Sequence, residues 1–394
     1  VAPLPWSTSA PGYTPPLAGL EQVTINGRNF YRVSKPPYLT RAVIVAAGIE
    51  LWEWTSVSLT RGWNNNPPTT WRFVTSEQEL PNDPEGWSAL RLRPPDPCRV
   101  FLDGWLAGSG FIKTRQVFYD ANQHVVELQG VSTVDMSNYT PAGSKTGEFQ
   151  NKDVLQMAQQ LFGMIDIGTS ARGVLTGKKF DRAAPQPSES IWDFVERFAR
   201  SSKALMGDDE QGNFVLGGSA FPGNGRPQLI EGFNVVSGRE IIISPQQAGT
   251  TIFSGQGPGS DKQSMSDVAQ PSAKGSATDN TGSMMSGSLG RSLSEIPFFA
   301  QGLLQDRVTH ENNINDSNLI YVYITVVGWQ RPSGGLWAPG DEVLVYSPML
   351  IMQRPLMIKS VTYSQDSNGG TKSVLELVNP TALGQGTEPM TGGQ

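Results

Sequence analysis

Few residues in this chain are of the types that do chemistry, and their spacing argues against most of it. There are two histidines, His124 and His310, and one cysteine, Cys98. A zinc site needs about four nitrogen or sulfur ligands, often paired a few residues apart, and these three positions supply no such pair. No Gly-x-Ser-x-Gly elbow and no Walker phosphate loop occurs. The glycine run Gly255-Gln-Gly257-Pro-Gly259 has no predicted strand before it and no helix after it, so it reads as linker rather than phosphate cradle. Paired carboxylates for glycan hydrolysis need not be close in sequence. Asp208-Asp-Glu210 is the one dense acidic cluster, and it falls in a predicted turn, where a solvated loop is the plainer reading. No cofactor or metal follows from these residues.

The elements that would have to position such groups are short. Glycine (43) and proline (29) punctuate the whole length, which favours many strands over long helices. Residues 1–38 form a proline-rich arm around one hairpin, Val23–Val33, turning at Asn26-Gly27. Period-two alternation predicts strands at Arg41–Ala47, Trp54–Thr60, Thr70–Thr75, Arg99–Asp103, Phe111–Tyr119 and His124–Gln129. Between 149 and 205 the period changes. One helix is expected after Asn151-Lys-Asp153. A second is expected from Ser190, with Asp193 three residues on as a capping-box variant. A turn at Gly212-Asn213 and a strand at Phe214–Leu216 follow. Residues 254–294 are dominated by small polar residues and read as a flexible loop or linker. A last helix is expected over Phe298–His310, then strands at Leu319–Trp329, Glu342–Tyr346, Leu356–Tyr363 and Lys372–Val378.

The net charge of -6 comes without a Lys/Arg cluster, which argues against a sequence-reading nucleic-acid binder. One cysteine permits no internal disulfide. No apolar run approaches the roughly 18 residues of a membrane span, and the first residues do not read as a signal peptide.

The chain also resembles itself. Phe111-Ile-Lys113 through Leu128 matches Met357-Ile-Lys359 through Leu377, pairing Tyr119 with Tyr363 and Glu127 with Glu376. Arg99–Leu102 matches Glu342–Val345, and Trp71–Val74 matches Tyr321–Ile324. A loop containing Trp87 or Trp337 separates the first two strands of each set. One small β-module therefore occurs twice, with an α/β insertion between.

Several of these segments, in order over roughly 50–380, resemble baseplate hub proteins of contractile phage tails, of the phage Mu type. They are Gly328-Trp-Gln-Arg-Pro-Ser-Gly-Gly-Leu-Trp-Ala-Pro339, Leu356–Tyr363, Gly369–Pro380, Pro187–Arg200 with Gly212-Asn213, and Tyr119–His124 with Gly130. The signature residues are Trp329, Gly334, Gly335, Leu336, Trp337, Trp192, Asn213, Tyr363 and Glu376. The resemblance implies a mainly β fold with an α/β insertion. Two tail-tube-like β-barrel domains plus smaller α+β domains would assemble as a trimeric pseudo-six-fold ring. The implied division is an arm (1–38), a first barrel domain (39–140), an insertion (141–253), a linker (254–297), a second barrel domain (298–380) and a polar tail (381–394). The implied partners are two more copies, the tail tube protein, the central spike protein, other baseplate proteins and the tape measure protein. DNA would pass through without sequence-specific binding, and the chain would be a virion component rather than an enzyme. The alternative is a tail-associated glycan-binding or peptidoglycan-degrading protein. A type VI spike component would need a needle repeat, and none follows residue 380.

Overall fold

The computed structural model describes residues 20–25, 28–33, 41–46, 49–52, 54–76, 92–120, 124–143, 147–219, 221, 226–242, 250–255, 290–295 and 320–380. The arm before Leu20, Trp87, the helix expected over Phe298–His310 and the tail beyond Pro380 lie outside the described residues. Strands β1 (Leu20–Ile25) and β2 (Arg28–Val33) pair with Ile25 opposite Arg28, the register that Asn26-Gly27 predicts. Next come β3 (Ala42–Ala46), β4 (Ile49–Leu51), β5 (Ser56–Gly62), β6 (Thr69–Thr75), β7 (Pro97–Leu102), β8 (Trp105–Tyr119) and β9 (His124–Ser132). An α/β segment follows with β10 (Phe149–Lys152), α1 (Val154–Gly163), β11 (Thr169–Arg172), β12 (Phe180–Ala183), α2 (Ile191–Ser201), β13 (Leu205–Asp208) and β14 (Phe214–Gly217). The remainder holds β15 (Gln228–Ile230), β16 (Val235–Ile242), β17 (Thr250–Gly255), β18 (Gly290–Glu295), β19 (Ile320–Val327), β20 (Glu342–Ser347), β21 (Met352–Asp366) and β22 (Gly370–Val378).

The chain is mainly β, as expected, but its two halves are not two separate sheets. Thirteen strands form one sheet, with path β16-β19-β22-β21-β5-β6-β9-β8-β7-β3-β4, and β20 and β15 branching from β21. Among the described residues this path does not close into a barrel. The joint is β5 against β21, antiparallel from Ser56 opposite Asp366 to Gly62 opposite Ser360. One apolar core runs through both halves and includes Phe73, Val100, Ile112, Val322, Val343 and Tyr363. Alternation along a strand specifies which face is buried, but not which strand lies alongside. The expected linker 254–294 is also cut short at both ends, because β17 and β18 pair in parallel. A strand thus does run into Gly255, contrary to the expectation for that glycine run.

The internal repeat is present as a five-strand unit. Strands β5-β6-β9-β8-β7 pair in the same order as β16-β19-β22-β21-β20. Strands β8 and β21 both have 15 residues, and β9 and β22 both have 9. Each long strand carries one extra residue at the same place, between Ile112 and Thr114 and between Ile358 and Ser360. The bulged residues are therefore the two lysines, Lys113 and Lys359. Each unit also has the same turn before its β7-like strand. Arg93 N donates to Asp96 Oδ2 (2.8 Å) and Ala338 N to Asp341 Oδ2 (3.2 Å). The carbonyls of these two aspartates accept from Ile112 N (3.0 Å) and Ile358 N (2.9 Å).

These registers correct the sequence alignment. Thr114 faces Gln129 and Ser360 faces Glu376, so Glu376 corresponds to Gln129, not Glu127. Counting on from the bulge, Tyr363 corresponds to Val117, and Trp71 corresponds to Val322. Leu92 stands where Trp337 stands, one residue before the turn, and both are buried. The matches in β8 and β9 are out by two residues, which preserves the alternation, and the match in β6 by one, so motif similarity alone leaves the register open.

The true register exposes a compensation. Trp71 lies opposite Gly130 in the first unit, and Val322 opposite Leu377 in the second. A Cβ on Gly130 would sit 2.2 Å from Trp71 Nε1. Large-plus-nothing in one unit thus replaces medium-plus-medium in the other.

The insertion has its own core. Asp153 caps α1 through a reciprocal box with Gln156, and Ser190 caps α2 by accepting from Asp193 N. Phe162 stacks on Phe214 with centroids 4.2 Å apart, and Phe194 and Phe198 pack beside them.

Gly130→Leu should destabilise the protein by about 1–3 kcal/mol through overpacking. Adding Trp71→Val, which imports the second unit's pair, should recover at least about 1 kcal/mol of that loss. Urea unfolding of the two single variants and the double variant measures the coupling, and strict additivity would refute the compensation.

Candidate functional site

The place where most of the fold converges is the end of β5, between the sheet and the insertion. After Gly62 the chain turns through Trp63 and Asn64, the latter at φ +57. Trp63 N donates to Lys359 O (3.0 Å) at the second unit's bulge, and Asn64 N to Met206 O (2.7 Å) in the insertion. Met206 N returns a bond to Asn64 Oδ1 (2.9 Å). The Trp63 ring stacks on Phe221 with centroids 5.3 Å apart. It lies over Gly207 and Gly217, where added Cβ atoms would come within 2.8 and 3.1 Å of the ring. A side chain at Gly207 would displace the indole.

Charged groups surround this indole. Arg61 is buried; its Nη1 donates to Glu210 Oε1 (2.7 Å) and its Nη2 to Asp208 O (3.3 Å). Thr69 Oγ1 donates to Asp208 Oδ1 (2.7 Å). From the other side Arg172 Nη1 donates to Pro339 O (2.8 Å), and its Nη2 approaches Asp341 Oδ1 (3.5 Å). Arg331 Nη1 completes the series on Asp341 Oδ2 (3.0 Å). A cavity of about 200 Å³ lies among Arg61, Trp63, Arg172, Asp208, Glu210 and Pro339.

Burial pushes the Asp208 carboxyl up to about 6, against the pull of Arg61 and the hydrogen bonds from Ser132 and Thr69. Burial also acts to raise Glu210, but the adjacent Arg61 outweighs it and holds Glu210 below the usual carboxylate range. Arg61 itself loses from burial and gains more from Glu210 and Asp208, so its pKa rises. The Asp208-Asp-Glu210 cluster runs from the last residue of β13 into a turn, and it is not simply solvated. Asp208 and Glu210 face Arg61, and Asp209 accepts from Asn213 N (2.8 Å) and Asn213 Nδ2 (2.9 Å). Sequence offered no signal for Arg61, Trp63, Arg172 or Asp341, because the contacts that join the sheet to the insertion span more than a hundred residues.

The structure brings six of the nine signature residues together. Gly334 (φ +88) and Gly335 (φ +78) make the tight loop that pairs Gln330 with Leu336. Trp329 and Trp337 point into the sheet core; Trp329 Nε1 donates to Ser364 O (3.3 Å), and the Tyr363 hydroxyl donates to Trp337 O. Burial raises the pKa of Tyr363. Glu376 lies apart, accepting from Lys359 Nζ (2.9 Å) and Ser360 Oγ (2.5 Å). Trp192 and Asn213 belong to the insertion, where Trp192 meets Phe214 edge-on at 6.2 Å. Cys98 is buried, and His124 stands exposed beside Tyr119; His310 lies outside the described residues. Among the described residues no group of His, Cys, Asp or Glu could hold a metal ion, and no helix is long and apolar enough to cross a membrane.

Besides the short strands β4 and β15, which each pair on one side only, two longer strand edges of the sheet have no partner among the described residues. One is β16, paired only with β19. The other is the second half of β8, which has β9 on one side and nothing on the other after Phe111. That half exposes Val117, Phe118 and Tyr119, with Tyr119 76% exposed.

Comparison with known proteins gives this geometry a class. Residues 135–218 match the family model of the baseplate hub protein gp44-like second domain. Residues 301–385 match that of the Mu phage baseplate assembly protein GpP fourth domain. No curated protein matches the chain. Among solved structures, the 43 kDa tail protein of prophage MuSo2 from Shewanella oneidensis aligns with TM-score 0.72 at 20% identity, covering 87% of this chain and 98% of its own. A tail protein from Neisseria meningitidis MC58 gives 0.71 at 16% identity, covering 88% and 99%. A type VI secretion component of E. coli, described as similar to T4 tail proteins gp27 and gp5, gives 0.53 at 9% identity, covering 88% and 79%. The fold is that of phage tail proteins. Two stretches of the chain are thus similar to phage baseplate domains, one of a gp44-like hub protein and one of the Mu baseplate assembly protein.

Asp208 gives the junction a pH signature. Its pKa is raised in the folded state, so the native protein binds the extra proton between about pH 3.8 and 6. This group therefore favours folding most at low pH, and that contribution is lost as pH rises through 6. Asp208→Asn should remove on the order of 2 kcal/mol of relative pH dependence across this window. Urea midpoints of both proteins at pH 4, 5, 6 and 7 test it, and parallel curves would refute the assignment.

Proposed function

We propose that the chain is the structural hub of a contractile phage baseplate: a homotrimeric ring between the six-fold tail tube and the three-fold central spike. The observation that carries this reading is the duplicated five-strand unit. Two quasi-equivalent units per chain let three chains present six similar surfaces, which is what a joint between six-fold and three-fold partners requires. The two halves act as tube-like domains, and barrel closure comes from assembly rather than from within one chain. The expected division at 39–140, 141–253 and 298–380 is retained as a proposal, with the sheet shared between its outer parts. The signature residues serve as structure: Trp329, Gly334, Gly335, Leu336, Trp337 and Tyr363 shape the second unit's corner, Trp192 and Asn213 the insertion, and Glu376 the bulge.

The neighbours proposed for the ring are the tail tube protein above, the central spike protein below, other baseplate proteins and the tape measure protein. DNA passes through the bore without sequence-specific contacts, and a chain of net charge -6 does not grip phosphates along the way. Its place is the virion tail, after synthesis in the host cytoplasm. Its role is mechanical, not enzymatic.

Light scattering of the purified protein over a range of concentrations, with electron microscopy of the same sample, tests the ring. A mass near three times 42.7 kDa and particles with a central hole are expected. A monomer at every concentration would overturn the solution ring.

A further inference from the structure

The β5–β21 joint inside one chain has a counterpart with half of it missing. Strand β21 is long and bent: its first half pairs with β20 and its second half with β5. Strand β8 has the same length, the same lysine bulge and the same first-half partner in β7, but among the described residues its second half has no strand in the place of β5. Strand β16, at one end of the sheet, occupies in its unit the position of β5, and among the described residues its outer edge has no strand in the place of β21. One chain thus offers the two halves of a joint that it also contains complete.

We infer that the second half of β8 in one copy pairs antiparallel with β16 of the next copy, repeating between chains the β5–β21 pairing seen within one. This rests on the ring reading above and specifies its interface. The register follows from the two units. Val361 and Thr362 face Arg61 and Thr60, and Gln365 faces Val57. The bulge makes Arg115, Gln116 and Tyr119 equivalent to Val361, Thr362 and Gln365. Pairing with β6 and β19 makes Ile241 and Gly238 equivalent to Thr60 and Val57. Gln116 of one copy then lies opposite Ile241 of the next, Phe118 opposite Arg239, and Tyr119 opposite Gly238.

The chemistry of these pairs is complementary. Open strand edges invite a further strand, and natural proteins normally blunt them with charge or proline. The β8 edge instead exposes Val117, Phe118 and Tyr119 in succession. Arg239, itself exposed, would lie against the Phe118 ring as a cation–π partner. Gly238 carries no side chain, and Leu350 Cδ1 lies 3.1 Å from where its Cβ would be. The Tyr119 ring would cover that glycine and pack on Leu350, a known way of making a strand glycine tolerable. Each copy offers one β8 edge and one β16 edge, so the contact is head-to-tail and a closed ring leaves neither unpaired.

A disulfide tests the register. Directly opposed residues in antiparallel strands bring their Cβ atoms to about 4.5–5.5 Å, close enough to bridge, whereas a slip of two residues does not. Full-length Gln116→Cys/Ile241→Cys, mildly oxidised, should give a reducible ladder ending at three chains on a non-reducing gel. Gln116→Cys/Arg239→Cys should cross-link at least about ten-fold less. Native Cys98 is buried, with its thiol pushed up to about 12 by that burial, and does not compete. Light scattering of both variants in reducing buffer separates the two levels. A ring mass with no 116–241 bridge, or with equal bridging by the slipped pair, overturns this interface and leaves the ring standing. A monomer mass with no bridge overturns both.

Discussion

Seven residues of β5 lie against seven of β21, and most of the described structure depends on that pairing. Without it each five-strand unit would end in an open edge, and the apolar faces now sharing one core would have to be covered separately. The pairing is locked from several sides. Thr60 and Thr362 bring their hydroxyls to 2.9 Å across the strands. The bulge at Lys359 turns that residue's carbonyl to Trp63 N, so the same irregularity that bends β21 also anchors the chain leaving β5. A slip of one residue would invert every side chain of β5. Leu59 would leave the core, and Arg61 would leave Glu210.

Comparing the two units separates what the architecture requires from what each location requires. The bulged lysine, the aspartate turn and the strand lengths recur, and all of them shape backbone. Side chains diverge where surroundings diverge. Tyr363 is fully buried, with its hydroxyl on Trp337 O, because β5 covers that half of β21. At the equivalent place Val117 is 44% exposed, because no described strand covers that half of β8. The Trp71–Gly130 and Val322–Leu377 pairs fill one position with different shapes. Interiors tolerate such exchange when total volume is kept.

Strand and helix positions were largely legible because they depend on local period and capping. Asp153 with Gln156 and Ser190 with Asp193 marked both helix starts, and Asn26-Gly27 marked the hairpin register. The duplication was legible as order but not as register, since alternating strands match again after two residues. The Gly-rich start of β8, Trp105–Gly110, lacked a strand signal and was not anticipated; β16 was also missed, its Ser-Gly-Arg-Glu interior breaking the alternation. The merging of two expected barrels into one sheet was invisible, because sequence alternation carries no information on partner choice. The same holds for the charged junction. Glu210 could be seen as acidic, but only the fold shows it 2.7 Å from an arginine 149 residues earlier.

That junction also says how the insertion is held. Its own core closes around Phe162, Phe194, Phe198 and Phe214, so attachment to the sheet is not needed to bury those rings. What crosses the boundary is one flat indole on two glycines within a small apolar cluster, the Asn64–Met206 bonds and a line of partly buried charges. Buried ion pairs seldom add much net stability, since desolvation consumes most of the attraction. Their effect is directional. Arg61 satisfies Glu210 and the Asp208 carbonyl at one orientation of the insertion, and Arg172 reaches Pro339 and Asp341 at that same orientation. Any other seating leaves charges buried without counter-charges, and that penalty is larger than the gain from the native contacts. A greasy contact of equal area would slide. This one defines an angle, as a subunit must when its insertion and its sheet are to keep one geometry in every copy of a ring.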